Sequence, residues 1–232
     1  MRQLQTKALI LILLTALFFR FYNIKQFQFW FSDEEVNAMV VRKVIIEKKP
    51  VLISPNSTTG LTFGPYFHLA SVPIFYVAHM NPETALAVMG LLGVLTTYII
   101  FLVGKATKNI KFALVASFLY SSSFVISLFD RRWWPLSICP ITSAIAIISV
   151  YKIKNNKKYL WSVPLVISLS FGFHADPTIG ILTLSTIITY FILRIPILKK
   201  EYLWIILVLI IFLAPLVVFE IRHPGAVTHP IL

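Results

Sequence analysis

Acidic residues are scarce in this chain, which has 9 Asp and Glu residues against 21 Lys and Arg residues. Its single cysteine, Cys139, excludes an intrachain disulfide and carries no information on the redox compartment. The sequence also lacks internal repeats of solenoid length and low-complexity linkers, so nothing in it marks a domain boundary. We therefore expect residues 1–232 to form one module.

Hydrophobic residues make up 58% of the chain and the mean hydropathy is +0.83, which excludes an ordinary soluble domain. Long apolar runs separated by short basic loops are typical of α-helical membrane proteins, because each helix satisfies its own backbone hydrogen bonds in lipid. The runs cover residues 5–23, 65–80, 83–104, 111–129, 135–152, 159–174, 177–195 and 201–219. We predict an all-α, polytopic membrane helix bundle of about seven transmembrane helices.

The distribution of basic residues predicts which apolar run does not cross the membrane. With the N-terminus inside, the positive-inside rule places the basic residues near 105–111, 152–158 and 194–200 on the cytoplasmic side. This alternation requires the short 65–80 run, which contains two prolines, to lie at the interface or re-enter. The net charge of +12 then needs no nucleic acid as a partner. We expect a multi-pass protein of the plasma or inner membrane with a cytoplasmic N-terminus.

Three of the scarce acids stand together in Ser32-Asp33-Glu34-Glu35, directly after an aromatic run at residues 27–31. An aromatic belt leading into carboxylates is typical of a membrane–water interface. Residues 33–48 carry apolar side chains at helical spacing, which predicts an amphipathic surface helix with Ser32 or Asp33 as its N-cap. Together with the 65–80 run, this segment gives the first outer loop its interfacial helices.

In this topology, most of the acids and several basic side chains face the outer compartment. Such groups near lipid tend to be paired or functional, because burial raises the free energy of a charge. Their combination suits sugar transfer from a lipid phosphate, in which a carboxylate takes the acceptor proton and arginines bind the departing phosphate. We assign Asp33 as the base. The candidate phosphate ligands are Arg131, Arg132 and Arg222.

A family resemblance is carried by Phe19-Arg20-Phe21-Tyr22 and by the stretch from residue 29 to residue 38. They resemble the first outer loop of GT-C glycosyltransferases, such as the protein O-mannosyltransferases and the lipid A aminoarabinose transferase. In that family an Arg ends the first helix and Asp-Glu opens a surface helix. The resemblance therefore implies that Asp33 and Glu34 form the catalytic pair, with Asp33 as the base. We add Arg20 to the candidate phosphate ligands.

The resemblance extends along the chain to three later stretches, Gly64-Pro65-Tyr66, residues 131–135 and residues 219–223. It implies that a second outer-loop acid assists the reaction or binds a divalent metal, and Asp130 is the candidate. No metal ligand set and no other cofactor is assigned. Many relatives carry an Arg early in helix two, whereas the corresponding residues 85–88 of this chain include no Arg. The relatives are also longer than this chain. The resemblance therefore covers the N-terminal module of the family. Three interpretations of this chain stay open: a fragment, a truncated gene and a partner-dependent half.

We expect a membrane glycosyltransferase that transfers a sugar from a polyprenyl-phosphate donor to a glycan, lipid or protein acceptor on the extracytoplasmic face. One alternative is a polytopic transporter or flippase. The charges of this chain cluster at helix ends, whereas transporters usually place them at mid-membrane in broken helices. The other alternative is a non-catalytic membrane subunit.

Several candidate residues also have simpler structural interpretations. Asp33 and Glu34 could cap a surface helix and complement its dipole. Asp130 could pair with one of the two arginines that follow it, and Arg20 could snorkel to the headgroups. The simplest role for Trp133 and its neighbouring tryptophan is anchoring at the membrane interface.

Overall fold

The computed structural model describes residues 2–26, 30–55, 62–156, 159–196 and 199–227. These residues form α-helices joined by turns and two short 3₁₀ helices, with no strand among them. The α-helices are α1 (Arg2–Phe21), α2 (Ser32–Glu47), α3 (Tyr66–Val77), α4 (Pro82–Thr107), α5 (Ile110–Ser122), α6 (Phe124–Asp130), α7 (Cys139–Asn156), α8 (Ser162–Ala175), α9 (Ile179–Ile192) and α10 (Lys199–Arg222). The prediction of an all-α fold is confirmed.

Four helical segments of the described chain are long and apolar enough to cross a membrane. They are Gln3–Phe21, Pro82–Thr107, Pro135–Asn155 and Glu201–Arg222. The bent pair of α5 and α6 is a fifth candidate, whereas α3, α8 and α9 are apolar but shorter. The structure thus supports a membrane-associated helical protein with four or five candidate spans, and the count of seven spans stays a prediction.

The apolar run at residues 111–129 is two helices, α5 and α6, whose axes differ by 70°. Ser123 leaves the helical conformation with φ −68° and ψ 116°, and its hydroxyl accepts a hydrogen bond from the N–H of Ile126 at 3.4 Å. Just before it, the hydroxyl of Ser122 donates to the carbonyl of Phe118 at 2.8 Å. Serine side chains that compete for backbone partners in this way favour a break in a helix.

Both segments predicted to be interfacial are helices, α2 and α3. The predicted N-cap of α2 is wrong by one or two residues: Phe31 is the N-cap, and its N–H donates to the Glu34 carboxylate at 3.2 Å. The C-cap of the helix is Lys48, whose φ of 55° places it in the left-handed region. Of the aromatic run before α2, residues 27–29 lie outside the described residues. The position of α2 and α3 at a membrane surface stays a prediction.

The largest buried apolar cluster lies at one end of the bundle, where α2 and α3 pack against the start of α4 and the loop after α6. Trp133 of that loop is only 1% exposed, and its ring lies 5.2 Å from that of Phe67 and 4.8 Å from that of Phe75, between centroids. The prediction that Trp133 anchors at the membrane interface is therefore wrong. Its ring instead holds α3 against the α6–α7 loop.

The other helices pack around α4. Helices α1, α5 and α7 contact α4 directly, α8 packs on α7, and α10 packs on α8. At the end opposite Trp133, the Lys154 ammonium donates to the carbonyl of Leu193 at 2.8 Å. The two ends of the bundle therefore differ in chemistry, since the acids at the start of α2 lie at the Trp133 end.

Candidate functional site

One buried and one partly buried ion pair join distant parts of the chain at the Trp133 end of the bundle. The Arg20 guanidinium donates to one oxygen of Asp130 from Nε at 2.9 Å and from Nη2 at 2.5 Å. The Nε of Arg132 donates to Glu34 Oε1 at 2.6 Å. Arg20 and Glu34 are 0% exposed and Asp130 is 4% exposed, whereas Arg132 keeps 21% of its side chain exposed. Four of the predicted site residues thus come together as two pairs.

The pair formed by Arg20 and Asp130 is surrounded by further partners. Tyr120 donates to the second Asp130 oxygen at 3.0 Å, and the Arg20 guanidinium lies 5.3 Å from the centroid of the Tyr120 ring. Arg20 also donates to the carbonyls of Ala16 and Ser121 at 3.3 and 3.4 Å. Arg20 therefore does not snorkel to headgroups, and Asp130 does not pair with the arginines that follow it. A charged pair so fully engaged is suited to holding helices together.

Gly93 of α4 provides the space for this ion pair. A Cβ at this position would lie 2.4 Å from Arg20 Nε and 2.6 Å from Asp130 Oδ2, so Gly93→Ala should displace the pair. We expect the Tm of the detergent-solubilised protein to fall by roughly 5 °C, the effect of a 1–3 kcal/mol overpacking cost in a chain of this size. Gly90→Ala is the matched control on the same helix, because its Cβ meets nothing closer than 3.4 Å. Equal losses in the two variants would contradict this account.

The guanidinium of Arg132, at the Trp133 end of the bundle, is both fixed in place and accessible to solvent. Glu34 holds its Nε, and the Trp134 ring lies 4.5 Å from its Cζ. Its two terminal nitrogens make no hydrogen bond with any described residue. A guanidinium held on one side, with its outer N–H groups open, is arranged to bind an oxyanion through two parallel hydrogen bonds.

Asp33 adjoins Glu34 in the chain but points in another direction. Its side chain is exposed, and its carboxylate makes no hydrogen bond or ion pair with any described residue. Helix geometry explains the contrast, because consecutive residues of an α-helix point about 100° apart. An open carboxylate can accept a proton from an incoming group, whereas the oxygens of Glu34 are engaged by Arg132 and by the N–H of Phe31.

A buried contact between α2 and α3 adds two residues that the sequence analysis missed, Asn37 and His68. His68 Nε2 lies 2.7 Å from Asn37 Oδ1, and Asn37 Nδ2 donates to the backbone carbonyl of Asp33 at 2.8 Å. His68 is 0% exposed, and burial lowers its pKa to about 4. A polar Asn one turn after Asp33 was the available signal, but nothing in the sequence identified its partner.

The remaining predicted phosphate ligands lie outside the two ion pairs. Arg131 is 5% exposed and donates to the carbonyl of Tyr22 at 3.0 Å, and burial together with the nearby Arg20 charge lowers its pKa. Arg222 is exposed at the end of α10, and no contact joins it to either pair among the described residues. Glu220 accepts hydrogen bonds from the backbone N–H groups of the following turn at 2.7 and 2.8 Å.

An apolar groove between α8, α9 and α10 reaches the same end of the bundle. It consists of two adjoining cavities of about 400 and 530 Å³. The residues that line both are Val166, Leu169, Ile187 and Ile205. One cavity contains Ser162, and the other contains His174, whose ring lies 5.0 Å from that of Tyr66 in α3. From Ser162 to His174 the groove is about 18 Å long at 1.5 Å per residue, and its lining suits a hydrocarbon chain.

Within the described ranges, no group of three or more His, Cys, Asp or Glu side chains is placed to hold a metal ion. The divalent metal implied by the family resemblance stays a prediction. Comparisons of the chain with protein-family models, with curated proteins and with solved structures find no match.

Proposed function

We propose that this protein is a membrane glycosyltransferase that transfers a sugar from a polyprenyl-phosphate donor to an acceptor on the extracytoplasmic face. One juxtaposition carries the proposal. The open carboxylate of Asp33 lies two residues after the N-cap of α2 and directly before Glu34, which holds Arg132. The apolar groove ends near the same elements, at His174 beside α3. Base, phosphate ligand and lipid groove are the three parts that this reaction requires.

The roles of the residues follow from their contacts. Asp33 takes the proton of the acceptor hydroxyl while the oxygen of that hydroxyl attacks the anomeric carbon of the donor sugar. The bond from that carbon to the phosphate oxygen breaks, and its electron pair leaves with the lipid phosphate. Arg132 binds the developing phosphate charge through its terminal nitrogens, and Glu34 orients Arg132. A single displacement of this kind inverts the anomeric carbon.

Arg20 and Asp130 take a different part in this proposal from the one that the sequence suggested. Their charged atoms are engaged with each other, with Tyr120 and with backbone carbonyls. They hold α1 against α5 and α6, and neither presents an open group to a substrate. Among the arginines proposed as phosphate ligands, Arg132 is favoured because its outer N–H groups are open.

Transfer by the reconstituted protein tests the proposal directly. Proteoliposomes would be supplied with radiolabelled polyprenyl-phosphate hexoses and pentoses, and with lipid, glycan and peptide acceptor fractions. We expect loss of label from at least one lipid donor and its appearance in an acceptor, in proportion to the amount of protein. If no donor in the panel is consumed above the protein-free background, the protein is not a transferase of this class.

Arg132→Lys should raise the KM for the lipid donor about tenfold, because lysine keeps the charge but loses the planar pair of donors. The three N–H donors of lysine diverge from a single nitrogen, so lysine cannot contact Glu34 on one side and present two parallel N–H groups to phosphate on the other. The matched control is Arg42→Lys, an exposed arginine on α2, for which we expect an unchanged KM. The KM is measured by varying the donor at saturating acceptor. Equal KM values in the two variants would remove Arg132 as a phosphate ligand.

One observation favours the transporter or flippase alternative. The break between α5 and α6 lies beside the buried pair of Arg20 and Asp130, and transporters often place charges at discontinuous helices. A flippase would move a fluorescent polyprenyl phosphate across proteoliposomes without consuming its sugar. Reduction of externally accessible label by dithionite measures that movement and separates the two activities.

A further inference from the structure

The contact between α2 and α3 fixes the state of a buried histidine. Asn37 is 8% exposed, and its Nδ2 donates to the carbonyl of Asp33 at 2.8 Å. This assignment leaves Oδ1 of Asn37 to face His68 Nε2 at 2.7 Å. An amide oxygen can only accept a hydrogen bond, so Nε2 of His68 must carry the proton.

The second ring nitrogen of His68 shows that the ring is neutral. Nδ1 is buried and has no hydrogen-bond partner among the described residues. A proton on that atom would be a buried donor without an acceptor, which is unfavourable. Burial lowers the pKa of His68 to about 4, in agreement with a neutral ring at pH 7. His68 therefore serves as a fixed hydrogen-bond donor, not as a group that exchanges protons.

The same contact determines where Asp33 sits. Asp33 and Asn37 are four residues apart, so they share one face of α2 and are separated by one turn. Asn37 is the point at which this face meets His68 of α3, and Asp33 lies one turn closer to the start of the helix. The Glu34 ion pair with Arg132 holds the same first turn from another side. The turn that carries the base is thus tied both to α3 and to the loop after α6.

We propose that His68 is a positioning residue for Asp33. His68 holds the side chain of Asn37, Asn37 holds the backbone carbonyl of Asp33, and the Asp33 carboxylate is thereby kept at a defined place in the first turn of α2. His68 touches no substrate and transfers no proton. The catalytic consequence rests on the proposed function, whereas the structural tie does not.

Spin labelling tests the structural tie without any substrate. A nitroxide is attached to Asp33→Cys in a Cys139→Ser background, and a second label at Ile46→Cys reports on the far end of α2, where Ile46 is 60% exposed. We expect His68→Phe to increase the mobility of the label at residue 33 but not at residue 46. His68→Gln, whose Nε2 can replace the donor of the ring, should restore the wild-type spectrum. Unchanged spectra in His68→Phe, or equal changes at both labels, would overturn the proposal.

A second substitution guards against a general loss of folding in His68→Phe. Asn37→Ala removes the other half of the contact and should mobilise the same label to a similar extent. The double variant should add little to either single change, because both act through one contact. Additive effects would show that His68 does not act through Asn37, and would contradict the proposal.

Kinetics test the catalytic consequence. His68→Phe should lower kcat about 10- to 100-fold, as displacement of a base by roughly an ångström does. The KM for the donor should stay within about twofold, because Arg132 is not disturbed, and His68→Gln should recover most of kcat. An unchanged kcat in His68→Phe would overturn the positioning role. If the wild-type protein consumes no donor, the proposed function fails, and the spin labels alone decide whether the tie exists.

Discussion

Replacing Asp33 with Asn should lower kcat for transfer from a polyprenyl-phosphate sugar by about 10²–10⁴-fold, the usual contribution of a general base. The amide has the shape of the carboxylate but cannot accept the proton of the acceptor hydroxyl. Asp33 makes no hydrogen bond or ion pair with any described residue, so its replacement should leave the Tm within about 2 °C of wild type, as for other surface changes. The same reasoning predicts an unchanged KM for the donor.

Two neighbouring carboxylates provide the controls for this experiment. Glu35→Gln alters an exposed acid in the same first turn and removes the same favourable interaction with the helix dipole, so it should retain wild-type kcat. Glu34→Gln should behave differently from both, because it weakens the hold on Arg132 and should raise the KM for the donor. Wild-type kcat in Asp33→Asn would exclude Asp33 as the base. A loss of kcat in Glu35→Gln equal to that in Asp33→Asn would assign the effect to the helix terminus.

Asp130→Leu should be among the most destabilising single changes in the chain, with a loss of about 3–5 kcal/mol. Arg20 is 0% exposed, and removal of Asp130 leaves its guanidinium buried without a counter-charge. Tyr120 also loses the acceptor of its hydroxyl. We expect a fall in Tm of about 6–20 °C in detergent, or failure to recover folded protein, because each kcal/mol corresponds to roughly 2–4 °C in a domain of this size.

A double variant shows that the cause is the unpaired charge. Arg20→Met with Asp130→Leu replaces both charges by apolar side chains of similar volume, and should recover much of the lost stability. Glu83→Gln is the control for a surface pair, because Glu83 is 41% exposed and bridges an exposed Lys25 at 3.1 Å. It should change the stability by less than about 1 kcal/mol. A double variant no more stable than Asp130→Leu would mean that Asp130 acts through other contacts.

Local patterns in the sequence predicted the helices of the first loop well. The amphipathic spacing after Asp33 predicted a helix at 33–48, and α2 covers Ser32–Glu47. The short, proline-containing run at 65–80 was separated from the spanning runs, and α3 is correspondingly short. These features depend on residues within one or two turns of each other, where spacing and capping carry the information.

The choice of ionic partners could not be predicted in the same way. Arg20 and Asp130 are 110 residues apart and Glu34 and Arg132 are 98 apart. Nothing local distinguishes these pairings from the pairing of Asp130 with its neighbouring arginines. The decisive factor is tertiary, since Gly93 lets Arg20 and Asp130 approach α4 closely. The bend at Ser123 was not predicted, although three consecutive serines at 121–123 in the apolar run 111–129 favour a break in a helix.

The wide separation of Glu34 and Arg132 along the chain has a consequence for synthesis. At roughly 5–20 residues per second, the ribosome makes Arg132 about 5–20 seconds after Glu34. Until Arg132 is made, the first turn of α2 lacks one of its two ties, whereas His68, which provides the other, is made about a third of the way through that interval. Helices α4 to α6 are therefore made while a carboxylate destined for burial is still hydrated. Burial of Glu34 against Arg132 is thus a late step in the folding of this end of the bundle, because it waits for the loop after α6.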